Sequence, residues 1–176
     1  MTAASDNPER LILSIEPYTP PSEKLIQTGI RVITAPNSAR ANPGAKTTGW
    51  MHDRGKIESS LPEGVYTALL LDAEGHILEG VSSNFYAILD GELRTAGEGV
   101  LLGIAQQIVF EIAPAIVPLR KEAIHVRDVA RVSDAFITSS SRGIIPIVQI
   151  DAQTISGGVP GSVTTALRSA YAAWTQ

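Results

Sequence analysis

The segment from Val65 to Thr95 limits the possible folds more than any other. Val65 to Leu71 is a continuous apolar run, the pattern of a strand covered on both faces. Asp72-Ala73-Glu74-Gly75 turns the chain, and His76-Ile77-Leu78 brings it back. Asn84 to Leu89, Asp90-Gly91 and Glu92 to Thr95 then read as a β-hairpin, because Asp-Gly favours the tight turns whose twist suits paired strands. A meander of mostly antiparallel strands is the expected result.

The rest of the chain adds helices to that sheet. Residues 1–10 read as a tail, and Leu11 to Tyr18 as a strand stopped by Thr19-Pro20-Pro21-Ser22. Gly29 to Thr34 is a second short strand, Pro36 to Gly44 a loop, and Thr47 to Ser60 a polar helix ended near Pro62. Ile104, Ile108 and Ile112 share one face of a helix expected from about 103 to 114. Ala115 to Leu119, Asp134 to Thr138 and Ile144 to Ile150 read as strands. In the last helix, Ser162 to Trp174, residues Val163, Ala166, Leu167, Ala170, Tyr171 and Trp174 keep helical spacing, with Ser162 placed to cap it. The expected architecture is α/β, with a mixed, largely antiparallel sheet and helices in one domain.

Composition excludes several function classes. The chain has 176 residues, 44% of them apolar, enough for one core and too few for two comfortable ones. Its net charge of −4 is spread along the sequence, so no nucleic-acid or membrane-surface footprint is expected. There are no cysteines, which removes disulfides and thiolate metal sites. No apolar run reaches the roughly 20 residues of a membrane span. Met1 to Arg10 lacks the pattern of a signal peptide, so a soluble cytoplasmic protein is expected. His52, His76 and His125 are scattered singly, and no metal site is expected from them. There is no Gly-x-Ser-x-Gly elbow and no Gly-x-x-x-x-Gly-Lys loop, and Gly97, Gly99 and Gly103 miss the dinucleotide fingerprint by one residue.

One stretch holds unusual polarity inside apolar structure. Glu79-Gly80-Val81-Ser82-Ser83-Asn84-Phe85-Tyr86 carries a carboxylate, hydroxyls and an amide between two strands. By composition alone it reads as a turn with Glu and Asn at its edges. Its order relative to Leu93-Arg94-Thr95 and Leu101-Leu102-Gly103-Ile104, however, resembles the signature of class IV (fold type IV) aminotransferases. That family includes branched-chain aminotransferases, D-amino-acid aminotransferases and aminodeoxychorismate lyase. Pro43-Gly44-Ala45-Lys46-Thr47-Thr48 is similar to the family's lysine segment, and Asp134 to Ser141 to its phosphate-binding strand and turn. Pro146-Ile147 and the closing helix also fit, so the resemblance covers about 25–176.

The resemblance implies the large C-terminal domain of a pyridoxal 5′-phosphate enzyme over residues 25–176. Residues 1–24 would then be a tail or a remnant of the family's small N-terminal domain. It further implies a homodimer acting on small molecules, an amino acid and a 2-oxo acid, with neither nucleic acid nor membrane as partner. Lys46 takes the position of the catalytic, cofactor-holding lysine. Of the other lysines, Lys24 follows a Pro-Pro-Ser turn, Lys56 lies among Asp53, Arg54 and Glu58, and Lys121 sits in Arg120-Lys121-Glu122, all as solvated charges. Lys46 alone follows an uncharged run beside small residues, and a partly desolvated setting is expected for it.

By position, Glu79 faces the pyridine nitrogen and Ser82 lies near the ring, while Ile104, Ala105, Ser140 and Ser141 hold the phosphate at a helix start. Arg54 and Arg142 have weaker claims. Two residues depart from the family pattern: Val81 replaces a small residue, and Gln106 a basic one whose loss removes a peripheral salt bridge. A lyase acting on aminodeoxychorismate is the alternative within the family. A truncated, non-catalytic cofactor-binding domain is the alternative from another class.

Overall fold

Strand alternation decides where the core, the helices and the cavity lie. A computed structural model describes Ser14, Ile15 and residues 17–176. Strands β1 (Ile30–Ala35), β2 (Thr67–Leu71), β3 (Ile77–Gly80) and β4 (Ser83–Leu89) are followed by β5 (Glu92–Arg94), β6 (Leu119–Arg120), β7 (Asp134–Ser139), β8 (Gly143–Ile150) and β9 (Gln153–Thr154). They form one mixed sheet in the order β3-β2-β1-β8-β7-β4-β5-β6, with β9 on β8. Because β3 also pairs with β4, the strands from β3 round to β4 close on themselves and leave few open edges. Most pairings are antiparallel, as expected, but β1 runs parallel to both β2 and β8, and β5 runs parallel to β6.

Successive side chains point to opposite faces, so each buried strand feeds two cores. Leu69 and Leu71 of β2, Phe85 and Ala87 of β4, Ile137 of β7 and Ile145 of β8 fill one cluster. The alternate residues Tyr86, Ile88, Phe136 and Ile144 pack under helices α3 (Ile104–Ile112) and α4 (Ser162–Trp174). Tyr86 and Phe136 stack with centroids 4.6 Å apart, and burial pushes the Tyr86 hydroxyl far above its ordinary pKa. On the remaining side, Ala68, Leu70 and Val81 meet Trp50 and Ile57 of helix α2 (Thr48–Ser59) and nearby Leu61. The unbroken apolar run at β2 thus reflects a strand covered on both faces.

Several expectations need correction. Residues 11–13 and 16 of the expected Leu11–Tyr18 strand lie outside the described residues, and 14, 15, 17 and 18 are not in a strand. A short helix, α1 (Glu23–Thr28), was not anticipated; Ser22 caps it by accepting the Leu25 N–H at 3.2 Å. Ala115 to Leu119 is not a strand, because Ala113–Ala115 forms a 3₁₀ turn around Pro114 and only Leu119–Arg120 pairs. His76 and His125 are not isolated: they pair across a bridge with ring centroids 5.3 Å apart.

Ser162 does not cap the last helix but opens it after Gly161. Asp134 of β7 supplies the cap from across the sheet, accepting Thr164 N–H at 2.8 Å and Thr164 Oγ1–H at 2.7 Å. The carboxylate presses so closely on Gly161 that a Cβ there would collide with it.

Candidate functional site

Tight pairing of β3 and β4 sets the site's geometry. Glu79 is opposite Asn84 and Gly80 opposite Ser83, leaving Val81-Ser82 as the turn. Glu79 and Asn84 both reach the backbone of Leu101. Glu79 Oε2 accepts its N–H at 3.2 Å, and Asn84 Nδ2 donates to its carbonyl at 2.8 Å. This double clamp fixes the approach to α3. Gly103 follows, so close to Asn84 that a Cβ would lie 2.5 Å from Oδ1. The Glu-Gly-x-x-x-Asn and Leu-x-Gly-Ile segments are therefore one hydrogen-bonded unit.

A cavity of about 820 Å³ lies against this unit. Of the expected residues it brings together Lys46, Glu79, Ser82, Ala105, Ser140 and Ser141. Ile104 is not on its wall; its side chain is 68% exposed, so its claim rests on its backbone N–H in the first turn of α3. Among the described residues no side chain caps that turn, whose amides are left for an acceptor from outside the helix. Lys46 immediately precedes Thr47, which caps α2 by accepting Trp50 N–H at 3.3 Å. The partly desolvated setting expected for Lys46 is not found: the residue is exposed at the cavity's edge.

Glu79 is buried, and one of its oxygens, Oε1, has no hydrogen-bond partner among the described residues. Burial pushes its carboxyl above the ordinary value, against the opposing pull of the Leu101 N–H and the Arg40 charge. A carboxyl raised in this way favours the fold at pH below its unfolded pKa and gives up that contribution as pH rises through the folded one. Keeping Glu79 ionised at neutral pH is thus a cost to stability.

Residues beyond those expected complete the wall. Arg40, half-buried as a residue but with its side chain almost covered, lies 3.6 Å from Glu79 Oε1. Its signal in the sequence was slight, a single charge in the Pro36 to Gly44 loop. Arg54 and Arg142 both line the cavity. Arg54 is neutralised by Glu58 at 2.8 Å. Arg142 bonds to neutral groups, donating through Nη2 to Ser82 O and Oγ and through Nε to Ser139 Oγ. Among the described residues, Lys46 and Arg142 line the cavity without a carboxylate partner. Val81 packs with Ala68 and Leu70 beneath α2. Gln106 is not peripheral, being 1% exposed with both amide atoms unpartnered. Among the described residues, no group of histidines and carboxylates is placed to hold a metal, and no helix is long and apolar enough to cross a membrane.

These features fit the phosphorylated pyridine that the sequence resemblance implies. Uncapped amides and serine hydroxyls suit a phosphate, the unpartnered Glu79 oxygen suits a ring N–H, and a lysine stands at the rim. The comparisons agree with that pattern. The sequence profile described as amino-transferase class IV matches residues 2–150. The branched-chain-amino-acid aminotransferase of Pseudomonas aeruginosa is 28% identical over 156 residues, 85% of this chain and 51% of that protein. A D-alanine aminotransferase from Staphylococcus epidermidis is 30% identical over 103 residues, 57% of this chain and 36% of that one. The crystal structure of a T.th. branched-chain amino acid aminotransferase with pyridoxamine 5′-phosphate superposes with a TM-score of 0.77 at 25% identity, covering 86% of this chain and 52% of its own. The chain spans about half or less of the length of these relatives. With the profile running through the lysine loop, the Glu79 hairpin and the start of α3, the chain belongs to the class IV aminotransferase family.

Proposed function

We propose that this chain is the cofactor-holding part of an aminotransferase that moves an amino group between an amino acid and a 2-oxo acid with pyridoxal 5′-phosphate. The observation that carries the reading is the meeting of Lys46, Glu79, the start of α3 and the Ser140-Ser141 turn on one cavity wall. The relatives' names, branched-chain and D-alanine aminotransferase, support the reaction class but do not select a substrate.

When bound, the cofactor supplies an electron sink for the substrate's α-carbon. The residues of the chain hold, orient and move protons around it. Lys46 Nζ would hold the cofactor covalently and, once the substrate's amino group had displaced it, the freed amine would serve as general base and acid at the α-carbon. Glu79 Oε1, free of other hydrogen bonds, would hold a proton at the ring nitrogen. Backbone amides at Ile104 and Ala105 and the hydroxyls of Ser140 and Ser141 would receive the phosphate. Ser82, fixed through Arg142, would lie beside the ring. Arg142, which lines the cavity without a carboxylate partner among the described residues, would balance negative charge on the phosphate or substrate carboxylate.

Replacing Glu79 tests the assignment. Glu79→Gln keeps the side chain's shape and loses the charge that stabilises a protonated ring nitrogen. The expected outcome is near-normal cofactor capture, followed by visible absorbance, with amino-group transfer slowed ~10²–10³-fold, the usual cost of removing a group that acts mainly in the transition state. Transfer at the wild-type rate would place the carboxylate's role elsewhere.

A further inference from the structure

We infer that Arg40 is a positioning residue for this site, its guanidinium tying the carboxylate of Glu79 to the loop that carries Lys46. Three contacts define it. Nη1 lies 3.6 Å from Glu79 Oε1, with the two side chains only 6% and 5% exposed. Nη2 donates to the carbonyl of Ala45, the residue before Lys46, at 2.8 Å. The guanidinium carbon stands 5.0 Å from the centre of the Trp50 ring, and Trp50 Nε1 in turn donates to Val81 O at 3.3 Å. One planar fork thus engages the lysine loop, α2 and the Glu79 hairpin together.

The arrangement suits a site that must keep a carboxylate available. Glu79 Oε2 is committed to Leu101, whereas Oε1 faces Arg40 at a distance beyond hydrogen bonding. That oxygen therefore keeps its capacity to accept a further hydrogen bond while a fixed positive charge stands beside it. Lys46, Arg54, Glu58 and Arg142 line the same cavity, but Arg40 is the charged group in contact with Glu79 among the described residues. Fixing the Ala45 carbonyl also restricts the backbone from which Lys46 projects. A lysine in place of Arg40 would retain the charge but not the rigid fork that spans both partners.

The link to the cofactor rests on the function proposed above, whereas the link to Glu79 is testable without the cofactor. Glu79 is followed by carbon NMR in the cofactor-free chain, its signal assigned by its loss in Glu79→Gln. Arg40→Met is expected to raise the Glu79 titration midpoint by about one pH unit or more, the usual influence of an adjacent opposite charge, and to weaken pyridoxal phosphate binding at least ~10-fold. Arg40→Lys is expected to hold the midpoint near wild type while slowing borohydride-trapped labelling of Lys46 several-fold. An unchanged midpoint in folded Arg40→Met, with wild-type cofactor affinity, would reduce Arg40 to packing against Trp50 and overturn the inference. If Arg40→Met does not fold, the lysine variant decides, and labelling of Lys46 at the wild-type rate overturns it. Failure of the wild-type chain to take up pyridoxal phosphate would refute the proposed function, while the Glu79 midpoint would still judge the pairing with Arg40.

Discussion

Incubation with pyridoxal phosphate followed by borohydride reduction is expected to leave the pyridoxyl label on Lys46, and Lys46→Ala is expected to abolish both label and transfer. The surroundings of the lysines separate them. Lys56 is paired with Asp53 at 3.2 Å, Lys121 lies 4.1 Å from the Phe110 ring centre, and Lys24 borders a shallow hollow beside α1. Of the four, Lys46 alone reaches the cavity that contains Glu79. Loss of its proton-moving role costs ~10²–10⁴-fold in rate on general acid–base grounds, and loss of the covalent hold adds to that. Lys46→Arg keeps the charge without a usable amine and should fail similarly. Peptide mass spectrometry reads the site directly; label on Lys24, Lys56 or Lys121 would remove the basis for the proposed function.

The largest stability effect is expected at Asp134. Its carboxylate is buried and makes both bonds to Thr164 that begin α4. Asp134→Ala would remove the cap and leave a buried N–H and a buried hydroxyl unsatisfied, each worth ~1–3 kcal/mol. Relaxation recovers part of this, so a net loss of roughly 2–4 kcal/mol is expected in urea denaturation. Asp134→Asn, which retains one acceptor, should lose about half as much. A change below about 0.5 kcal/mol for the alanine variant, the range of ordinary surface substitutions, would show that α4 does not depend on this cap. The effect extends towards the cavity, because Tyr171 of α4 packs beside Gly143, the residue following Arg142.

Local chemistry explains which parts were legible in the sequence. The Asp90-Gly91 turn was readable because both residues adopt positive φ, 53° and 78°, which this pair tolerates. The last helix was readable from end to end because its apolar spacing needs no other part of the chain. Its cap was not, since Asp134 comes from a strand distant in sequence. The same distinction applies to the site. Lys46 and Glu79 could be placed by resemblance to family segments, whereas Arg40 acquires meaning only when its loop folds against β3. Gln106 read as a surface departure, yet it is buried in α3 because that helix turns Ala105, Gln106, Ile108 and Val109 inward and leaves only Ile104 of the expected isoleucine face fully exposed. The desolvation expected around Lys46 was inferred from small, uncharged neighbours, which reduce competing charge but do not themselves cover the lysine.

The lysine and the carboxylate stand on ground of unequal firmness. Glu79 belongs to a strand paired on both sides, whereas Lys46 leads into α2, a helix with no fully buried residue. The backbone amides of α2 are therefore expected to exchange with deuterium by local opening well before those of β4 or β7, whose exchange requires the sheet itself to separate. A ligand joined to Lys46 and seated against Glu79 would fasten the looser element to the firmer one. Cofactor uptake should then register as slowed exchange along residues 48–59, with the strands almost unchanged. Hydrogen-exchange mass spectrometry would thus detect occupancy even in a variant unable to turn over. Equal protection of α2 with and without cofactor would mean that the helix is anchored independently of the lysine.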